Sequence, residues 1–265
     1  MFGRLTPLVK NLLIINIGLA LLQGFMRIDL GELFGLHFIL ADQFKPYQFV
    51  TYMFLHSTQG IWHIFGNMFA LFIFGPLLEQ FLGPKKFLIL YMVTGVGAGL
   101  FYTGVNYAET IAVKRDVEAY AANPNSEDFN RLLVKHGDNL NPQIYDFVDA
   151  YARDNDNARL ESQSVSYAYQ LYDLYGRYNM VGASGAIFGL LAAFALFFPN
   201  TELFLLFIPF PIKAKYLVGV YILYEVYAEL QRAPGDNVAH LAHLGGAIIA
   251  FFLVRYWKAG RQNFY

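Results

Sequence analysis

Cysteine is absent from this 265-residue chain, which excludes disulfides, thiolate nucleophiles and cysteine-ligated metal together. Charge is scarce as well: 15% of residues are Asp, Glu, Lys or Arg, against about 25% in ordinary soluble domains. The formal net charge of -1 leaves no broadly basic surface, so nucleic acid is not an expected partner. Internal repeats and low-complexity tracts are missing too. What the chain has instead is apolar bulk, with 56% hydrophobic and 18% aromatic residues. A soluble core of this size could not hide so much apolar surface, whereas lipid accepts it. The composition is that of a membrane protein.

The apolar windows predict six helical spans by the roughly 20-residue criterion, at about 9–26, 60–82, 86–107, 181–198, 214–231 and 238–257. The first, although preceded by Arg4 and Lys10, has no small-x-small cleavage site after it and reads as an uncleaved span. Between spans four and five, Leu203 to Pro211 is broken by Pro209 and Pro211 and reads as an interfacial connector. If the spans alternate, Arg4, Lys10, Lys85, Lys86, Lys213, Lys215, Arg255, Lys258 and Arg261 fall on one side. By the positive-inside rule that side, with both termini, is cytoplasmic. The other side is poorer in such residues: Pro234-Gly235-Asp236-Asn237 has none, though Arg27, Lys45 and Arg232 lie near it. The lack of a transit-peptide pattern points to a bacterial plasma membrane rather than an organellar one.

Two long connections then face outward. Arg27 to about Thr51 is amphipathic and aromatic and is expected to lie on the lipid surface. From about Ala108 to Tyr178 the composition turns charged, Asn-rich and acidic, as in a soluble insertion (108–178) within one membrane domain (1–265). Short helices are expected there over 116–122, 127–136, 143–153 and 160–176, with Ser126 ahead of Glu127 and Asp128 at one start and Asn141 capping another at Pro142. The expected fold is therefore all-α, a six-helix membrane bundle carrying a helical insertion between spans three and four.

Polar groups inside spans are costly and tend to be functional. Span two carries His63 and Asn67, one helical turn apart on one face, and span six likewise carries His240 and His243. Span four opens on Gly182-Ala183-Ser184-Gly185-Ala186-Ile187-Phe188-Gly189. Small residues at i and i+4, Gly182 with Ala186 and Gly185 with Gly189, also suit close helix packing, so on this stretch alone Ser184 reads equally as packing or as nucleophile. With alternating spans, however, Ser184, His63, Asn67, His240 and His243 all fall at one depth near the outer face, which packing does not require. Span four, about 16 residues from Ala183 to Phe198, reaches only about 24 Å across a core of about 30 Å. Its start should lie in a wet cavity below the surface. A serine becomes a nucleophile when a neutral imidazole takes its proton. The resulting oxyanion needs donors, which a helix N-terminus and Asn or His side chains supply.

These residues carry a resemblance to the rhomboid family of intramembrane serine proteases. Gly182-x-Ser184-Gly185-x-x-x-Gly189 is similar to the family's nucleophile motif, Ala242-His243-x-x-Gly246 to its histidine motif, and His63-x-x-x-Asn67 to its oxyanion motif. The resemblance covers the chain apart from the insertion. It implies Ser184 as nucleophile and His243 as base, a dyad without a carboxylate. It also implies an oxyanion hole of the Ser184 N–H, His63 and Asn67, with lateral entry of substrate past span five. His240 is expected only to pack or hydrogen-bond. The sequence departs from the family pattern in three places. Tyr47-Gln48 stands where a Trp-Arg pair is frequent, Phe188 stands where some relatives have a tyrosine stacked on the base, and the insertion is long.

The expected activity is hydrolysis of a peptide bond in a transmembrane protein near the outer face, with lipid and membrane-protein substrates as partners and no cofactor or metal. Two rivals remain. One is an inactive relative that binds or escorts membrane helices, against which the intact Ser184 and His243 speak. The other is a metal transporter using His63, His240 and His243 as ligands, which lacks a carboxylate in the outer halves of spans two, four and six. His56 is another cavity candidate but reads more simply as a polar loop residue, Glu79 as a structural contact of Lys85 or Lys86, and Tyr221, Tyr224, Tyr227 and Glu225 as the polar tip of span five. Substrate, oligomeric state and the role of the insertion have no sequence signature.

Overall fold

The computed structural model describes residues 5–57, 61–137, 140–175, 179–204, 210–231 and 238–259. Pro209, residues 234–237, and Arg4, Arg232 and Arg261 lie outside them. In chain order the elements are α1 (Pro7–Met26), α2 (Gly31–Phe34), β1 (Leu36–His37), α3 (Gln48–Thr51) with a 3-10 turn at Tyr52–Phe54, and α4 (Ile61–Leu82). Then come α5 (Pro84–Ala122), α6 (Ser126–His136), α7 (Gln143–Arg153), α8 (Ala158–Tyr175), β2 (Asn179–Met180) and α9 (Ser184–Phe197). The chain continues with β3 (Glu202–Leu203), β4 (Ile212–Lys213), α10 (Ala214–Gln231) and α11 (His240–Ala259).

The bundle is built around α9, which packs against α11, α5, α4 and α10. Every residue of α9 from Gly185 to Phe194 is buried. In lipid, burying apolar surface does not by itself favour one helix neighbour over another, so close backbone approach through small residues has to do so. Gly185 lies against Ala98 of α5, Gly189 against Thr94 of α5, and Gly246 of α11 directly against the backbone of Gly185. The outer surface of the bundle is what lipid requires: Ile15, Phe25, Trp62, Phe65, Leu100, Leu223 and Phe252 are exposed.

Among the described residues, α1, α4, α5 and α11 are long and apolar enough to cross a membrane. The chain is an all-α integral membrane protein. The helix α9 is apolar but has only 14 residues, about 21 Å at 1.5 Å per residue, while α10 mixes Tyr221, Tyr224, Tyr227, Glu225 and Glu229 into its 18 residues. At the end of α9 remote from Ser184, the Lys258 ammonium donates to the Leu196 carbonyl at 2.8 Å, and Lys86 sits over the Trp257 ring at 5.9 Å. Basic groups thus gather at the C-terminal end of the central helix, where its dipole favours them. Glu79, near the same end of α4, does not pair with Lys85 or Lys86 as expected. Buried, it accepts the backbone N–H groups of Leu8 and Val9 at 3.3 and 3.0 Å, satisfying donors that the first turn of α1 leaves open.

The insertion corrects a boundary. Residues 116–122 do not form a separate helix, because α5 runs unbroken for 39 residues, about 58 Å, nearly twice a hydrocarbon core. The second half of α5 is a stalk on which α6 and α8 pack, with α7 against α6. A second core gathers there, Val113, Val117, Tyr120, Phe129, Leu132, Leu133, Tyr151 and Leu171 among its members. The start of α6 is capped by Asn125, one residue before the expected Ser126, its Oδ1 accepting the Asp128 N–H at 2.9 Å. Asn141 does cap α7, accepting from the Gln143 N–H at 3.0 Å.

The connection between α1 and α4 is held by Gln48, which is fully buried. Its Nε2 donates to the Leu33 and Gln43 carbonyls at 3.3 and 3.0 Å, and its Oε1 accepts the N–H of His37 and Lys45 at 3.4 and 3.1 Å. One amide therefore anchors four backbone points, in the place where relatives often carry Trp-Arg. The same connection pairs with the approach to α9, since β1 and β2 are antiparallel with Leu36 opposite Met180 and His37 opposite Asn179.

Candidate active site

Ser184 is the first residue of α9. Three features fix it there. The β1–β2 pair delivers the chain, the Gly182 N–H donates to the Tyr52 carbonyl at 3.0 Å, and Gly182 turns with φ +142°, a region that disfavours any side chain. A side chain at 182 would also strike His63, whose Cε1 and Nε2 lie 2.9 and 3.0 Å from where its Cβ would stand, with Ser184 Oγ at 3.5 Å. The serine hydroxyl and the His63 ring therefore border one small space. Ser184 is only partly buried, and as the first residue of the helix it has a backbone N–H without a partner in the helical ladder.

The imidazole of His243 comes to this space from α11. Gly246 on Gly185 brings the two helices into contact, with the Ala242 carbonyl 3.4 Å from the Cβ position of Gly185. His243 follows Ala242 and Ser184 precedes Gly185, so the two residues flank this crossing. The His243 ring lies flat on Phe188, one turn along α9 from Ser184, with centroids 4.2 Å apart and planes at 8°. Phe188 thus supplies the stacking ring. It touches in turn Tyr221 of α10, at 4.7 Å between centroids.

A carboxylate does reach His243, contrary to the expected carboxylate-free arrangement. Glu225 of α10 is buried, and its Oε2 accepts from His243 Nδ1 at 2.7 Å and from His240 Nδ1 at 2.6 Å. His240 is accordingly a hydrogen-bonding partner of the carboxylate. Sequence reading noticed Glu225 only as part of a polar helix tip. The available signal was a carboxylate amid Val218, Val220, Leu223 and Val226, expensive in lipid unless buried and paired, and one turn from Tyr221.

On α4, His63 and Asn67 share a face as expected, and Asn67 is buried with its Nδ2 donating to the His63 carbonyl at 3.0 Å. An amide carries two N–H bonds, so one more donor remains on that group. His56 is not a solvated loop residue. It is 2% exposed, edge-on to His63 at 5.4 Å, and among the described residues neither of its ring nitrogens has a partner. Burial, together with His63 nearby, pushes its pKa down to about 3, so it stays neutral. Of the residues singled out in the sequence, Ser184, His63 and Gly182 border one space, His243 lies on Phe188 one turn from Ser184, Gly185 and Gly246 form the helix crossing, Asn67 sits one turn along α4 from His63, and Gly189 packs on Thr94.

Glu225, His240 and His243 also bring three metal-competent atoms within 4.8 Å of one another. One oxygen at 2.6 and 2.7 Å from two imidazole nitrogens has hydrogen-bond spacing; the donor set, two imidazoles and a carboxylate, is nevertheless one that zinc accepts.

Comparison with known proteins places the chain in a family. The family model for the Rhomboid domain matches residues 43–113 and 162–258, more than half of the chain, and passes over the middle of the insertion. The chain belongs to the rhomboid family. It is 27% identical over 225 residues to an uncharacterized mitochondrial rhomboid protein of Schizosaccharomyces pombe, covering 80% of this chain and 51% of that one. It is 36% identical over 90 residues to a chloroplastic rhomboid-like protein of Arabidopsis thaliana, covering 34% and 30%. The chain thus matches about half the length of the first relative and under a third of the second.

Proposed function

We propose that this protein is an intramembrane serine endopeptidase that cleaves transmembrane proteins near one face of the bilayer. The observation that carries the reading is the stacking of the His243 imidazole on Phe188, one turn along α9 from Ser184 at its open start. In this mechanism His243 takes the Ser184 proton as the hydroxyl oxygen attacks the scissile carbonyl, then returns it to the leaving amine; water repeats the sequence on the acyl-enzyme. The oxyanion is held by the Ser184 N–H at the positive end of α9, helped by His63 and Asn67.

Six spans, α1, α4, the first part of α5, α9, α10 and α11, complete the proposal, with both termini on the lysine-rich side and the insertion opposite. In support, α9 is short and its serine end is remote from Lys86 and Lys258. The positive-inside rule applies equally to either kind of membrane, and the two relatives are organellar by name. A substrate helix must open locally to present an extended peptide bond, which small residues near the cut make easier. The test is cleavage of a model transmembrane substrate in liposomes: wild type should release its outer portion and Ser184→Ala should not. Equal release by both would refute the nucleophile, and no release by either would favour a helix-binding relative.

A further inference from the structure

We infer that Glu225 is the positioning residue of the histidine base, so that the site works as a Ser184–His243–Glu225 relay with His240 as a second anchor of the carboxylate; this rests on the protease reading above. The geometry is specific. One oxygen, Glu225 Oε2, faces Nδ1 of both histidines at 2.6 and 2.7 Å. An ionised carboxylate only accepts hydrogen bonds, so both Nδ1 atoms must carry the proton. For His243 that choice leaves Nε2 with its lone pair, the form in which an imidazole removes a proton from serine. Stacking on Phe188 at 4.2 Å fixes the plane of the ring but leaves it free to turn over within that plane. The carboxylate removes this freedom, because a flipped ring would lose its bond to Glu225.

His240 contributes by stabilising the carboxylate itself. Glu225 is 2% exposed, and a buried carboxylate persists as an anion only when donors surround it. The second imidazole, edge-on to the first with centroids 6.1 Å apart, is such a donor. It also explains why α11 carries histidine at both 240 and 243: the carboxylate lies between them. The groups facing His243 are then Glu225 from α10, His240 on its own helix, Phe188 from α9 and, nearby on α4, His63, with Ser184 one turn from Phe188.

The experiment compares wild type, Glu225→Gln, Glu225→Asp and His240→Gln in liposomes, reading kcat and KM on the transmembrane reporter and the rate of labelling by an alkyl fluorophosphonate. Losing the carboxylate from a serine triad lowers kcat about 10⁴-fold. For Glu225→Gln the expected loss is on the order of 10²-fold, because stacking still holds the ring plane. KM should stay unchanged, the labelling rate should fall in parallel, and Glu225→Asp should recover part of kcat. His240→Gln should lose less than Glu225→Gln. A Glu225→Gln enzyme with wild-type kcat, or one whose KM alone rises, overturns the inference while leaving the protease reading intact. A wild type that neither cleaves nor labels removes the protease reading first, and the relay with it. Stoichiometric zinc in purified wild type, with activity rising on chelation, would make the three side chains a metal site instead. If Glu225→Gln does not fold, nitrogen-15 NMR of histidine-labelled Ser184→Ala protein decides: a proton on Nδ1 of His243 supports the inference, and a proton on Nε2 alone contradicts it.

Discussion

The membrane bundle and the insertion are both helical, yet they hold together by opposite means. In the bundle, glycines mark the close helix crossings, Gly185, Gly189 and Gly246, and large apolar side chains such as Phe25, Trp62 and Phe252 are left exposed at the surface. In the insertion the order is the ordinary aqueous one, with Phe129, Tyr151 and Leu133 inside and ion pairs such as Arg131 with Glu127 and Asp128 outside. The difference follows from solvent. Water drives Phe129 into a core, but lipid is indifferent to Phe252, so specificity in the bundle falls to close packing and to polar groups such as Glu79 and Glu225, which must find donors. The residues of the candidate site are therefore also among those that specify the bundle.

That contrast can be broken in order of effect. Gly246→Leu should cost most, upward of about 4 kcal/mol, because its side chain would meet the Gly185 backbone, which cannot yield. Fluorophosphonate labelling and thermal unfolding in detergent should both collapse, and retention of either would show that the crossing of α9 and α11 is looser than described. Phe129→Ala should cost the insertion about 3–4 kcal/mol, seen as faster hydrogen exchange across α6 to α8, while labelling of Ser184 persists. Loss of labelling there would instead join the two regions into one cooperative unit. Asn125→Ala should cost about 1 kcal/mol by removing the cap of α6, again in exchange rates of the insertion alone.

The smallest effect is electrostatic. Asp116, on the stalk of α5, accepts from Lys135 at 2.6 Å and from His136 at 2.9 Å. The Lys135 hydrogen bond is the main cause holding its pKa down at about 2, from 3.8. A carboxylate with a lowered folded-state pKa contributes stability that is complete above its unfolded value and is lost as pH falls through the folded one. The stability difference between wild type and Asp116→Asn should thus be constant above about pH 4 and shrink between there and about pH 2. A difference that grew on acidification would reverse the assignment. Since Lys135 is largely exposed, the effect should also weaken with salt.

Most of the bundle could be read in advance because apolar length alone sets helix positions in lipid. The structure moved the start of α9 from 181 to 184 and that of α11 from 238 to 240, while α10 kept its ends. The insertion was misjudged at its join, since nothing in a polar composition after Tyr107 says that the helix stops, and α5 runs on to Ala122. The helices that carry Ser184, His63 and His243, and the placing of these residues near the helix starts, were legible from span position and spacing. The roles of Glu225 and Gln48 were not legible, for one reason. A buried polar side chain is defined by its partners, and those lie 15 and 18 residues away for Glu225 and on both sides of the loop for Gln48. His56 was taken for a loop residue because its burial comes from tertiary contacts, among them the His63 ring.

The most direct measurement is the chemical identity of the residue modified when the purified membrane protein is treated with an alkyl fluorophosphonate and digested for mass spectrometry. The account requires a single adduct on Ser184, absent from His243→Ala although that variant retains its fold. An adduct on another serine, or one on Ser184 that forms as fast without His243, would contradict it.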